Sequence, residues 1–177
     1  FPYIARMDAD DRSLPQRLHK QVFFMEGHPE IDVLGTGAEL IGKDGKRKNV
    51  ILPAETHNSI KRNYLNKTIL FHPSVMFRRR FFQKVGTYNV NLRRAQDLEL
   101  WGRGLKRGSL YHNLQEPLVQ YDTSGYVRSV KVILEKLASL MFVCVKYNHY
   151  DKIANVCVDI LKLFAIKFGF YTPRSLR

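Results

Sequence analysis

The residues best equipped for chemistry stand at positions 8 to 11, Asp8-Ala9-Asp10-Asp11. They follow an apolar run at 3–8 that contains an arginine and reads as a strand delivering carboxylates to the edge of a sheet. On an extended backbone side chains alternate with period two, so Asp8 and Asp10 are expected on one side, about 7 Å apart along the chain. Two such carboxylates can share a hard divalent ion, which takes one or two protein oxygens and fills its other positions with water and substrate phosphates. The competing reading is an acidic turn that caps a helix beginning near Leu14, with Asp11 and Ser13 accepting its free N–H groups. Other metal motifs fail on spacing: an EF-hand loop starting at Asp8 needs Gly sixth and Glu twelfth, where the chain has Ser13 and His19.

A second constellation lies downstream. Asp97 opens an amphipathic stretch, where the positive end of a helix dipole favours its ionised form and suits it to act as a general base. A helix cap is the structural alternative. His72 stands beside a proline and close to Arg78, Arg79 and Arg80, and Arg93 and Arg94 precede Gln96 and Asp97. Guanidinium groups are planar paired donors well matched to phosphate, although a solvated basic face has the same composition. No second His or Cys stands at metal-ligand spacing from His72, which reads locally as a packed or turn histidine.

These residues need elements to hold them. The stretch SLPQRLHKQVFFMEG is expected to be a helix, with Ser13 and Gln16 as a capping box, Gly27 as its stop, and Leu14, Leu18, Val22 and Met25 on its buried face. IDVLGTGAELIG reads as a strand followed by an Asp44-Gly45 turn, and residues 55–66 as a polar helix. ILFHPSVMF reads as a strand, RRFFQKVG as a short helix, and QDLELWGRGLKRG as a helix in which Gly102 and Gly104 each cost roughly 1 kcal/mol relative to Ala. Short strands are expected at 110–112 and 118–121. Beyond Thr123 the periodicity changes to two long amphipathic helices, about 126–147 and 150–168.

The 177 residues carry a net charge of +13 and 45% hydrophobic residues, enough for a packed core and an excess of cations that favours anionic partners. A basic nucleic-acid-binding module would share the charge, but the cations are scattered and no zinc, RRM or KH signature is present. Nucleic acid is therefore not expected as a partner. The cysteines, Cys144 and Cys157, sit in apolar helical patterns and read as reduced and cytosolic. The longest apolar stretch, Leu137 to Val145, is far shorter than the ~20 residues of a membrane span. Lysines around the apolar faces of the tail fit either core-covering helices or peripheral contact with the inner face of an anionic membrane.

Taken together, the chain resembles family 2 glycosyltransferases of the GT-A fold, particularly bacterial non-processive enzymes of capsule, exopolysaccharide and O-antigen synthesis. The resemblance covers residues 3–122 through three blocks in order: YIARMDADDRSLPQRLHKQVFFMEGHPEIDVLGTG, HPSVMFRRRFFQKVGTYN and AQDLELWGRGLKRG. It implies an α/β fold, the C-terminal part of a Rossmann-like mixed sheet flanked by helices, over residues 1–123, with an α-helical extension over 124–177. It also implies that a nucleotide-binding strand–helix half precedes Phe1. Asp8, Asp10 and Arg12 are implied as donor-diphosphate residues, with Asp10 and Asp8 holding Mg²⁺ or Mn²⁺ and Asp97 as the base. His72, Arg78, Arg93, Arg94 and Gln96 are the candidate acceptor or phosphate contacts. The implied partners are a nucleotide-sugar donor and a saccharide or lipid-linked saccharide acceptor, with inversion at the anomeric carbon. Gln96 stands where the family commonly has Glu, and no QxxRW motif of processive synthases occurs. The alternative is a non-catalytic fragment or interaction module.

Overall fold

The computed structural model describes residues 1–65, 68–124, 130–146 and 158. Its framework is a mixed six-stranded sheet. The strands are β1 (Tyr3–Ala5), β2 (Arg12–Ser13), β3 (Val33–Ile41), β4 (Arg47–Ile51), β5 (Met76–Arg78) and β6 (Tyr111–Asp122). They run in the order β1-β5-β3-β6-β2, with β4 also on β3. Helices α1 (Arg17–Gly27), α2 (His57–Asn63), α3 (Arg79–Val85), α4 (Gln96–Lys106) and α5 (Val130–Lys146) accompany it.

The central pair, β3 and β6, is parallel, whereas every other pairing is antiparallel. The first six residues of β3 are all buried, as a strand covered on both faces requires. Because parallel neighbours need a long crossover, everything from β4 to α4 lies between the two strands in sequence. Strand β6 is one element where two short strands are expected. A bulge at Gln115–Glu116 joins the halves, since Thr36 pairs with Leu114 but Gly37 with Pro117. Such a bulge absorbs the proline's missing N–H within a continuous strand.

The β3–β4 hairpin closes through Gly45, whose φ of +69° needs the turn residue that Asp44-Gly45 supplies. Helix α2 begins at Thr56 with a reciprocal Thr56–Ser59 capping box. Helix α3 stops at Gly86, as its sequence predicts, with φ +83°. The ILFHPSVMF strand is replaced by a 3₁₀ turn, His72–Ser74, followed by the short β5. Pro73 and the Ser74 hydroxyl, which donates to Phe71 O at 2.7 Å, favour the turn over an extended ladder.

Helix α1 departs from its pattern in a way that matters for the site. Ser13 lies in β2 opposite Val119, and the helix starts at Arg17 after an uncapped Gln16, so the Ser13–Gln16 box does not form. Its buried residues are Arg17, Gln21 and Met25, while Leu18 is 53% exposed.

The main core gathers Val33, Phe77, Phe81, Leu100, Trp101 and Tyr111, with Val143 of α5 among them. The first tail helix thus covers the core of the sheet domain. Buried Glu99 of α4 binds Arg103 at 2.8 Å and Lys146 at 2.9 Å, and Glu135 of α5 reaches Arg94 at 3.4 Å. The second tail helix, at 150–168, and Cys157 lie outside the described residues, apart from Val158. No helix among the described residues is long and apolar enough to cross a membrane.

Gly104 is a packing requirement rather than a defect of α4. A Cβ there would lie 1.9 Å from the Tyr111 hydroxyl, which donates to Trp101 O at 3.1 Å. We expect Gly104→Ala to destabilise the fold by about 1–3 kcal/mol through overpacking. Adding Tyr111→Phe removes the nearest clashing atom and should recover part of the loss in urea unfolding. Equal stability of Gly104→Ala and the wild type would refute the packing account.

Candidate active site

Strand β1 pairs with β5 as Tyr3↔Arg78, Ile4↔Phe77 and Ala5↔Met76, and the ladder continues with Arg6 N donating to Val75 O at 2.9 Å. The chain therefore leaves the carboxyl end of β1 directly beside the His72–Ser74 turn. Ligands of α/β sheets commonly bind at the carboxyl ends of strands. Beyond Arg6 the backbone turns, with Asp11 N donating to Asp8 O at 3.3 Å. The extended alternation expected for Asp8 and Asp10 is thus absent, because β1 ends at Ala5 and the acids occupy a turn. Asp8 accepts from Arg6 at 2.6 Å, and Asp10 is exposed.

Asp11 caps no helix. Its Oδ1 accepts from Asp122 N at 3.0 Å, which ties the acidic turn to the end of β6. Burial, with the charges of Asp10 and Asp8 adding to it, pushes its carboxyl up to about 6 against the bond from Asp122. Its Oδ2 and the Nη1 of Arg6 are buried without hydrogen-bond partners. Orphaned donors and acceptors of this kind are costly unless something satisfies them.

The second acid arrives from the other side. Helix α4 begins after Ala95, which adopts the left-handed region at φ +53° and makes no side-chain cap. Asp97 lies in the first turn, outside the N-cap position. His72 and Tyr88 both lie within the electrostatic reach of Asp8 and Asp97. The His72 Nε2 is 2.9 Å from the Tyr88 hydroxyl, and its ring packs edge-on against Trp101 at 5.7 Å. Burial pushes the His72 imidazole down to about 4, while Asp97 and Asp8 both pull upward and Arg6 pulls down. Burial likewise pushes the Tyr88 phenol up to about 12, with the same three charges acting on it. The fold thus gathers Arg6, Asp8, His72, Tyr88 and Asp97 around one neutral imidazole.

The remaining candidates are dispersed. Arg78 is committed to backbone: it donates to Ile31 O at 2.8 Å and His28 O at 3.1 Å, to Met25 O, and to the Tyr3 hydroxyl at 3.0 Å. This guanidinium thus pins β5 to the end of α1. Arg12 is exposed in β2 opposite Gln120, Arg93 is exposed, and Arg94 pairs with Glu135. Gln96 is exposed at the first position of α4 and donates to Leu92 O. Glu99, the nearest other acid to Asp97, is removed from the site by its ion pairs with Arg103 and Lys146. Arg6 and Tyr88 are absent from the sequence-derived site. An arginine two residues before Asp8 in an apolar run signals the first, whereas Tyr88 follows α3 with no local signal.

Among the described residues no group of three or more His, Cys, Asp or Glu side chains could hold a metal by itself. Exposed Asp10, half-buried Asp8, and the unpartnered Asp11 Oδ2 and Arg6 Nη1 fit a different arrangement, in which carboxylates and a phosphate share the ion.

His72 makes stability depend on pH. Between its ordinary value of 6.5 and about 4, the unfolded chain binds a proton that the folded chain excludes. The stability it confers is full above pH 6.5 and is lost as pH falls toward 4. Asp11, raised from 3.8 to about 6, acts with the opposite sign, favouring the fold below 3.8 and losing that effect as pH rises through about 6. His72→Gln should flatten the rise of unfolding free energy with pH between 4 and 6.5, by at most ~1.4 kcal/mol per pH unit. Parallel stability–pH curves for variant and wild type would exclude a buried neutral His72.

Comparison with known proteins places the chain among its relatives. Residues 2–86 match the family described as glycosyl transferase family 2. The putative glycosyltransferase EpsE of Bacillus subtilis is 36% identical over 71% of this chain and 46% of its own. The O-antigen biosynthesis glycosyltransferase WbnJ of Escherichia coli is 35% identical over 68% of this chain and 47% of its own. A UDP-Gal:alpha-D-GlcNAc-diphosphoundecaprenol beta-1,3-galactosyltransferase of Escherichia coli is 28% identical over 98% of this chain and 65% of its own. The crystal structure of S. aureus TarS 1-349 in complex with UDP superposes with a TM-score of 0.53 at 14% identity, covering 88% of this chain and 46% of that one. The chain spans about half the length of EpsE and WbnJ. With its GT-A-like mixed sheet and these relatives, this chain belongs to glycosyltransferase family 2.

Proposed function

We propose that the chain carries the diphosphate-binding and base-bearing part of an inverting glycosyltransferase, which moves one sugar from a nucleotide-sugar donor to a hydroxyl acceptor in polysaccharide biosynthesis. The observation that carries the reading is the convergence of Asp8 and Asp97 on His72 and Tyr88, from elements far apart in sequence. Asp10 and Asp8 would hold Mg²⁺ or Mn²⁺, whose chemistry when bound is to neutralise charge on the departing diphosphate. The free Nη1 of Arg6 is a donor suited to a phosphate oxygen. Asp97 takes the proton of the acceptor hydroxyl as that oxygen bonds to the anomeric carbon and the bond to the diphosphate breaks. The neutral His72, bonded to Tyr88 and packed edge-on against Trp101, lies within the electrostatic reach of both carboxylates.

In the full-length protein, Asp97→Asn should bind UDP and Mn²⁺ as the wild type does by calorimetry, while transfer slows by ~10²–10⁴-fold. Asp10→Ala should instead lose the Mn²⁺-dependent part of nucleotide binding. Full transfer activity in Asp97→Asn would place the base elsewhere.

We further propose a lipid-linked acceptor approached at an anionic membrane surface. Support comes from α5, whose packed face is opposed by exposed Leu134, Phe142 and Val145. Basic amphipathic helices of this kind bind headgroup layers through apolar area and charge. Flotation with liposomes should require acidic lipid, weaken with salt and fall in Phe142→Ser. Equal recovery with neutral vesicles would remove the membrane from the reading.

A further inference from the structure

We infer that Arg17 and Gln21 form a positioning pair for the site: one buried unit on α1 that holds the Arg6–Asp8 segment and the His72 turn in register with each other. The inference rests on the proposed function for its consequence, although not for its geometry. The two side chains lie one turn apart on the same helix face, and both are essentially inaccessible, at 1% and 0% exposure. A buried guanidinium normally meets a carboxylate, because an unpaired charge away from water is costly. Arg17 has no such partner among the ion pairs of the described residues. Burial draws its pKa down to about 10, which still leaves it charged at neutral pH.

Its donors are satisfied by neutral groups that lead into the site. Nη2 reaches Arg6 O at 2.7 Å and Val75 O at 3.5 Å, Nη1 reaches Met7 Sδ at 3.3 Å, and Nε reaches Gln21 Oε1 at 3.0 Å. Arg6 and Met7 are the residues that immediately precede Asp8. The Nε2 of Gln21 then donates to Ser74 O at 2.9 Å and to Leu34 O at 3.0 Å. Ser74 ends the turn that begins at His72, and its hydroxyl accepts from Thr36 N at 2.9 Å. One connected set of hydrogen bonds therefore spans from the acidic turn, through α1, to the histidine turn and the middle of β3.

The choice of buried residues on α1 argues for position over packing. The helix leaves Leu18 and Phe23 exposed at 53% and 77% while burying an arginine and a glutamine. Apolar side chains would fill the same space without a desolvation cost, but they could not fix two carbonyl groups on one side and two on the other. Lysine could not substitute, since its single ammonium lacks the planar fork that reaches Gln21 and the Arg6 carbonyl together.

The test uses the full-length protein with UDP and Mn²⁺ as the probe. Arg17→Lys and Gln21→Met should remain folded, yet bind the probe or transfer sugar about ten- to a hundredfold less well, the usual effect of losing a group that orients site residues. In both variants the backbone amide resonances of Asp8 and His72 should shift together, while those of the distant Gly42–Lys46 turn stay in place. A wild-type protein that binds no UDP would defeat the proposed function, and the resonances would still decide this inference. Unmoved Asp8 and His72 signals, or wild-type affinity in folded variants that have only a lower unfolding midpoint, would overturn it. So would failure of both variants to fold, which would make the pair a stability element alone.

Discussion

The parallel pairing of β3 with β6 is the constraint on which the rest of the molecule depends. It runs from Val33↔Tyr111 to Ile41↔Asp122, and it requires close approach of the two backbones. Gly35 permits that approach, since a Cβ there would lie 2.1 Å from Asn113 Oδ1. Asn113 is fully buried and donates to Ala54 O at 2.6 Å and Ile69 O at 2.8 Å, so the same residue ties down both ends of the α2 crossover. With two parallel strands fixed, the intervening chain must return over one face of the sheet and deliver α4 beside the His72 turn. The position of Asp97 relative to Asp8 is a consequence of topology.

Charge is managed differently in each part of the molecule. On the α4–α5 side, buried Glu99 is compensated by two cations, Arg103 and Lys146, which fastens the tail helix onto the helix bearing Asp97. On the α1 side, buried Arg17 is compensated by neutral groups alone, the carbonyls of Arg6 and Val75, the Met7 sulfur and Gln21 Oε1. Near the strand ends, Arg6 and Asp8 neutralise each other while Arg6 Nη1 and Asp11 Oδ2 remain unpartnered. There two charged groups leave buried polar capacity unfilled, and buried capacity of that kind is what a charged substrate can exploit.

The helical alternatives to function at the two acids are both absent from the structure. Asp11 binds β6 instead of a helix N-terminus, and Asp97 follows an N-cap residue, Ala95, whose left-handed backbone starts α4 without side-chain help. A non-Gly residue in that region is uncommon and costs of order 1 kcal/mol, so it persists only where surrounding contacts demand it. Here the Tyr64 hydroxyl bonding Leu98 O at 2.8 Å and the packing of Trp101 provide those contacts.

Local pattern in the sequence determined the elements whose cause is local. Asp44-Gly45 specified its hairpin, Gly86 the end of α3, and the apolar spacing of Leu98, Trp101 and Leu105 the helix α4, because turn chemistry and periodicity act within a few residues. The order of the three motif blocks was likewise enough to indicate the family and its mixed α/β sheet. Tertiary structure alone decided what depends on partners distant in sequence. The backbone carbonyls of Arg6, Leu34 and Ser74 turned Arg17 and Gln21 into the buried face of α1 and left Leu18 outside. Carbonyls of residues 25–31 claimed Arg78 for structure, and the Tyr111 hydroxyl made Gly104 a requirement. His72 and Tyr88 came within the electrostatic reach of Asp8 and Asp97 only because the crossover brought β1, the 3₁₀ turn and α4 together, and no spacing along a chain encodes a contact made through space.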